Sequence, residues 1–543
     1  MIWVRILLTA LAAKNIHKTL APWCLKAYCD ERIADCQITV QEHTINDSIT
    51  RIAAKIYPVR PDLIGLSCYI WNIEQVKKVG SLLKKYLPST IIVLGGPEVS
   101  FVADINDYPF ADYIIQGPGE IQFARLIELL SRGETLNSRI LEPLEDYSFP
   151  EIPSPYTPDF FQSFAAGKIP LMESQLIYYE SSRGCSFSCT YCLSSATFGV
   201  KELPLERVYR DLNTLLSHGP KWIKFVDRTF NANQKRAKEI LLFILAQKTD
   251  CTFHFEAAAD LFDEDMLEII SKMPPGRIQF EIGIQSINPQ TLQAINRKTD
   301  LNQAFSNICH LIDSGNCHIH LDLIAGLPYD TSETFSEAID RCLSLRPHML
   351  QLGFLKLLKG AGIARYLDDG KYIFSDFPPY EVHQSNAMTV EEIIALRKIE
   401  PVIDKFYNSG MFINSIDYAI NKLFGSGYDF FRVLADYCDG HNELKVSLKT
   451  TYTILYNFLT LYGNETEAAH YIKLDCLIYD SRGMLPDAIA KARDKTKEHI
   501  FRQRSPEKYK NIRIEFFDFD QKPRVFIYDK KNKITKAHLY FEL

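Results

Sequence analysis

Strand-like apolar runs alternate with helical patterns from the start of the chain. In residues 1–140 the runs WVRILL, CQITVQ, LIGLSC, TIIVLGG and DYIIQG are separated by stretches such as IEQVKKVGSLLKKYL, with apolar positions three and four apart. Apolar strands joined by helices of that length predict a parallel, doubly wound sheet with right-handed crossovers. Such sheets bind ligands at the carboxyl ends of their strands. Those ends carry Ser67, Tyr69 and Trp71, then Gly95 and Gly96, then Gly117, Gly119 and Glu120. Glycines there let backbone come close to a large flat ligand. No G-x-G-x-x-G follows the first strand, so a dinucleotide is not expected.

Residues 141–175 are rich in proline and aromatics without periodicity and read as a linker that packs along a surface. From 176 to 363 the strand–helix rhythm resumes. LIYYE, WIKFVD, FHFEAAAD, IQFEIGIQS, IHLDLIAGLP and MLQLGFLKLL make six β/α units. A full eight-fold barrel needs about 250 residues, so a partial (β/α)6 barrel is expected. Residues 364–543 change character: helical stretches follow one another, and NIRIEFFDFD, RVFIYD and KAHLYFEL end the chain as antiparallel strands. The overall expectation is an α/β protein with a C-terminal α+β domain that caps the barrel's open side, either to bind substrate or as a structural or dimerisation module.

A chain of 543 residues with 46% hydrophobic and 12% aromatic content can fill two or three cores. Net charge of -6 argues against a nucleic-acid-coating surface. The basic run 489–513 reads as a solvated helix face before it reads as an RNA contact. Thirteen cysteines without a pairing pattern predict reduced thiols in a cytoplasmic protein. Arg5 interrupts the apolar start, which therefore reads as a first strand and not as a leader. No apolar run is long enough to span a bilayer.

The chemistry concentrates in SSRGCSFSCTYC, where Cys185, Cys189 and Cys192 follow a strand at spacing Cys-x3-Cys-x2-Cys. Three thiolates on one loop can hold three corners of a cubane iron–sulfur cluster and leave the fourth iron open to a substrate or cosubstrate. A zinc site wants four ligands, usually two Cys-x2-Cys pairs, and no second pair follows. Cys251, Cys309, Cys317, Cys342, Cys438 and Cys476 stand singly and read as core residues.

Four acids interrupt apolar barrel strands: Asp227, Glu256, Glu281 and Asp322. Buried carboxylates need partners. Their places near successive strand ends put them around one mouth, where barrel enzymes keep their chemistry. A ligand with a sulfonium, an ammonium and ribose hydroxyls answers several of them at once. Salt bridges with Lys224, Arg228, Arg277 or Arg297 are the structural alternative.

The cysteine spacing resembles the radical S-adenosylmethionine (SAM) superfamily, in which SAM chelates the open iron of a 4Fe-4S cluster. The strands FEIGIQS and LDLIAGLP resemble the branch with coproporphyrinogen dehydrogenases and methylthiotransferases. That resemblance implies SAM contacts from Tyr191, Glu281, Gln285, Asp322 and the turn at Gly326. LGGPEVS followed by QGPGE resembles the cobalamin-binding domain of one large subgroup. His17 lacks the D-x-H-x-x-G context of a lower axial ligand, so no histidine on cobalt is expected from this motif. Tyr69 or Trp71, or water, then covers that face; both rings are open to a packing role as well.

The resemblance implies reductive cleavage of SAM with an electron from an external flavodoxin- or ferredoxin-type donor. The resulting 5′-deoxyadenosyl radical acts on an unactivated carbon, most directly for methylation. Oxidation, cyclisation or rearrangement with the same cofactors, RNA modification, and a non-catalytic sensor are the alternatives. Methylthiotransferases carry a second cysteine trio upstream, whereas Cys24, Cys29 and Cys36 fall in a helix and the next strand and read as packing residues.

Overall fold

The structure is a computed structural model. It describes residues 4–34, 36–102, 104–134, 136–144, 147–165, 175–196, 199–441, 445–479, 485–489, 499–500, 511–517, 519 and 522–542. The chain divides into two compact units. One comprises 1–269, 295–298 and 356–382, the other 270–294, 299–355 and 383–543.

The N-terminal sheet is built from β1 (Val4–Ala12), β2 (Cys36–Thr44), β3 (Leu63–Ser67), β4 (Ile91–Gly95), β5 (Tyr113–Ile115) and β6 (Ile140–Leu141). Its order is β2-β1-β3-β4-β5-β6, with every pairing parallel. Leu7, Ile64, Ile92 and Ile114 are buried against helices that pack on the sheet, which is why these strands read as continuous apolar runs. Strand order reverses between β1 and β3, and the crevice outside their carboxyl ends is where doubly wound sheets take ligands. Asn72, fully buried, ties that crevice together. Its amide donates to the carbonyls of Leu11 (3.0 Å) and Ser67 (3.1 Å), and its side-chain oxygen accepts from the Tyr69 amide at 2.8 Å.

The barrel strands follow. In the first unit β7 (Leu176–Tyr179) leads into the hairpin β8 (Ser182–Gly184) and β9 (Val200–Glu202), and then to β10 (Trp222–Phe225) and β11 (Thr252–Ala257). β7 and β11 flank β10, both in parallel. In the second unit β12 (Ile278–Gln285), β13 (Cys317–Ala325) and β14 (Met349–Phe354) pair in parallel, β13 central. Helices follow the strands as expected of a (β/α)6 arrangement.

Beyond the barrel, β15 (Ile373–Phe374) pairs with β16 (Val382–Gln384). Helices Val390–Val402, Gly427–His441, Leu448–Tyr462 and Glu465–Tyr479 precede an antiparallel sheet of β17 (Ile512–Phe517), β18 (Lys522–Lys531) and β19 (His538–Glu542). Most of the basic run 489–513 lies outside the described residues. Cys251, Cys317, Cys342, Cys438 and Cys476 are buried, but Cys309 is exposed on its helix, against the core role expected of it. Among the described residues no helix is long and apolar enough to cross a membrane.

Candidate cofactor sites

The cysteine loop springs from the β8–β9 hairpin. Gly184 has φ +99°, and a Cβ there would lie 2.1 Å from the Gly199 carbonyl oxygen, so only glycine lets the two strands meet. Cys189 is buried, while Cys185 and Cys192 are half-buried. The Phe187 amide donates to Cys185 Sγ at 3.4 Å, and Thr229 Oγ1 lies 3.8 Å from the same sulfur. Arg297 places Nη1 3.9 Å from Cys189 Sγ and 3.4 Å from the Tyr191 hydroxyl. Burial pushes the Cys189 thiol up, and Arg297 pulls it back toward the thiolate that a metal needs. Tyr191, expected at the SAM site, therefore faces Arg297. Three sulfurs with a cation behind them suit an anionic cluster with one open iron.

Asp227, fully buried, holds the entry to this loop. Its carboxylate accepts from the Ser181 amide (2.8 Å), the Ser181 hydroxyl (2.5 Å) and the Ser182 hydroxyl (2.8 Å). Glu256 lies 3.6 Å from Lys224 of the adjacent strand. Lys224 is thus one partner of Glu256, and hydrogen bonds from serines engage Asp227.

In the second unit, burial along β12 alternates with period two, so Glu281, Gly283 and Gln285 share one face, and His318, His320 and Asp322 share the matching face of the adjoining β13. Glu281 pairs in register with His320 and Gly283 with Asp322. His320 Nε2 is 3.0 Å from Asp322 Oδ1, and one ligand atom from each of Glu281, His320 and Asp322 falls within 4.8 Å of the others. The register shifts at Gln285, whose φ is +69°. Its side-chain oxygen is buried without a hydrogen-bond partner among the described residues, as suits a group awaiting a polar ligand. Gly326, φ +83°, turns the chain after β13.

At the carboxyl ends of the N-terminal sheet, the Tyr69 and Trp71 rings stack at 4.3 Å and 9°. Trp71 is 45% exposed, so the pair offers a flat apolar platform beside Ser67. Gly96, φ +115°, crosses close over β3: a Cβ would sit 2.6 Å from the Cys68 carbonyl oxygen. Glu98 is buried and accepts from the Tyr380 hydroxyl at 2.9 Å. Gly117 has φ +68°, and Gly119 opens the helix Glu120–Ser131. Glu120, expected at cobalamin, is 5% exposed and directs its carboxylate to Arg183 at 2.9 and 3.3 Å. His17 lies at the carboxyl end of β1 with Nδ1 2.7 Å from the Tyr178 hydroxyl.

Arg183, His320 and Asn72 are residues that sequence reasoning did not assign, and Arg297, considered there only as an ion partner of the strand acids, meets Cys189. Arg183 and His320 carried a signal: one stands two residues before Cys185, the other two residues before Asp322 on the same strand face.

Comparison with known proteins places three families along the chain. A B12 binding domain matches residues 6–127, the radical SAM superfamily matches 179–342, and DUF4080, a protein family of unknown function, matches 368–539. The chain is a radical SAM protein with a B12-binding domain and a DUF4080 domain. It is 27% identical over 307 residues to an uncharacterized methyltransferase, PH0819, of Pyrococcus horikoshii, covering 53% of this chain and 65% of that protein. It is 26% identical over 342 residues to a 2-(S-pantetheinyl)-carbapenam-3-carboxylate methyltransferase of Streptantibioticus cattleyicolor, covering 56% and 47%. The match therefore spans about half to two thirds of these relatives. The cobalamin-dependent SAM radical enzyme OxsB shares the fold, with TM-score 0.60 and 16% identity over 87% of this chain and 78% of OxsB.

Proposed function

We propose that this radical SAM protein is a cobalamin-dependent enzyme that cleaves SAM reductively and methylates an unactivated carbon of its substrate. The observation that carries this reading is the meeting of the cysteine loop with a strand-end loop of the B12-type sheet, through Arg183 and Glu120. When bound, a 4Fe-4S cluster with SAM would supply the 5′-deoxyadenosyl radical, and cobalamin would supply the methyl group.

Cys185, Cys189 and Cys192 hold the cluster, and Arg297 balances its charge from behind Cys189. Asp227 fixes the strand that leads into the loop. In the second unit Glu281, Gln285, Asp322 and Gly326 are the candidate SAM contacts, with acceptors for its ammonium and hydroxyl groups, and in the first unit Tyr191 is another. Tyr69 and Trp71 form the apolar floor for the corrin, and Ser67, Gly95, Gly96, Gly117 and Gly119 leave room for its side arms. The electron comes from an external flavodoxin- or ferredoxin-type donor, in the cytoplasm. The DUF4080 domain supplies the substrate contacts.

The test is anaerobic reconstitution with iron, sulfide and cobalamin, followed by analysis of SAM products. 5′-Deoxyadenosine together with S-adenosylhomocysteine marks radical methyl transfer; 5′-deoxyadenosine alone marks oxidation, cyclisation or rearrangement. A fully loaded cluster that yields no 5′-deoxyadenosine rejects the radical reading. So does activity that survives Cys185→Ala, Cys189→Ala or Cys192→Ala.

A further inference from the structure

Arg183 stands at a junction that neither cofactor site explains. Its guanidinium meets the Glu120 carboxylate at 2.9 and 3.3 Å and the Glu180 carboxylate at 2.7 and 2.9 Å. Phe149 lies against its face, 4.5 Å from ring centre to Cζ. Glu120 is the first residue of the helix that follows the Gly117–Pro118–Gly119 turn, at the ligand-binding edge of the N-terminal sheet. Arg183 lies on β8, two residues before Cys185, and its neighbour Gly184 is locked against Gly199. A guanidinium that bridges two carboxylates is a stiff fork, and breaking a buried one leaves a charge unpaired. A shift of the Gly117–Glu120 turn is therefore passed to the start of the cysteine loop.

The N-terminal sheet touches the barrel strands of the same unit at a second place. Residues Ile16–Lys18 form a parallel bridge to Leu176, and His17 meets the Tyr178 hydroxyl. That contact joins the same two elements but lies at the other end of β7 from the cysteines.

We propose that Arg183 is a positioning residue that couples occupancy of the cobalamin loop to the geometry of the cluster and hence to SAM binding. The inference rests on the cofactor assignment above and adds to it: the two sites are energetically linked, and the link runs through the Glu120–Arg183–Glu180 bridge. Linkage is reciprocal, so it is readable as a change in SAM affinity when cobalamin is added.

The experiment measures SAM dissociation constants by equilibrium dialysis on cluster-reconstituted protein, with and without saturating hydroxocobalamin. In the native chain cobalamin changes SAM affinity by about five-fold or more. In Arg183→Lys, which keeps the charge and loses the fork, the ratio falls below about two-fold, at unchanged iron and sulfide content. Glu120→Gln, on the far side of the bridge, gives the same loss and keeps the test open if Arg183→Lys loads its cluster poorly. Tyr178→Phe, which removes the His17 hydrogen bond of the other contact, retains the native ratio. A native ratio below two-fold overturns the proposal, as does a native-like ratio in both bridge variants or an equal loss in Tyr178→Phe. Protein that takes up neither cluster nor cobalamin overturns the cofactor assignment itself; uptake of both without linkage overturns only the coupling.

Discussion

His320 Nε2 lies 3.0 Å from Asp322 Oδ1, two residues apart on one face of β13, with Glu281 in register across from His320. Two carboxylates and an imidazole gather on adjoining strands. Such a set offers acceptors to a cationic ligand, and SAM carries both a sulfonium and an ammonium. Asp322→Asn is therefore expected to weaken SAM binding by about ten- to a hundred-fold, the range for a lost charged hydrogen bond of about 1.5–3 kcal/mol. Dialysis with the reconstituted protein measures it. Affinity within two-fold of native removes Asp322 from the SAM site.

The Tyr69–Trp71 stack makes a prediction for cobalamin. If the exposed Trp71 face supports the corrin, Trp71→Ala loses an aromatic contact of about 0.5–1.5 kcal/mol together with buried apolar area, so affinity should fall about ten-fold. The change is read by titrating hydroxocobalamin and following its visible spectrum. Unchanged affinity returns Trp71 to a packing role.

Gly184→Ala tests the hairpin that launches the cysteine loop. The new methyl would sit 2.1 Å from the Gly199 carbonyl, at φ +99°, where a side chain adds about 1–3 kcal/mol of strain. The hairpin must open to accommodate it, and Cys185 moves with the strand. Iron bound after reconstitution should fall by at least half. Stoichiometric cluster loading in the variant counts against the hairpin as the element that orients Cys185.

The strands were legible because a continuous apolar run or an alternating one marks them whatever their neighbours are: VRILLTALA and CHIHLDLIA needed only their own pattern. The two-residue β6 has too few positions to show a period. The cysteine loop was legible because three ligands on one loop are a local property. Partners were not. Asp227, Glu256 and Glu120 stood out as acids at strand or helix ends, but Ser181, Lys224 and Arg183 reach them through folding, at separations of 46, 32 and 63 residues. Sequence spacing tells which face a carboxylate takes; packing decides what that face meets.

Asp330 gives the last prediction, one of pH. It follows the Gly326 turn, is fully buried, and accepts from the Thr334 hydroxyl at 2.7 Å. Burial raises its carboxyl from 3.8 to about 6, against the opposing pull of hydrogen bonds from Thr334 and Ser286. The folded value exceeds the unfolded one, so the folded chain holds the proton more tightly. The stability this confers is complete below about pH 4 and is lost as pH rises through about 6. A rise of that size corresponds to about 3 kcal/mol, so the ionised carboxylate weighs on the turn at neutral pH. Asp330→Asn keeps an acceptor for Thr334 without the charge. Relative to native, the variant should melt several degrees higher at pH 7.5, and the gap should close at pH 4.5. Melting curves at the two pH values measure it, and a gap of equal size at both would show that the Asp330 charge is paired in the folded chain.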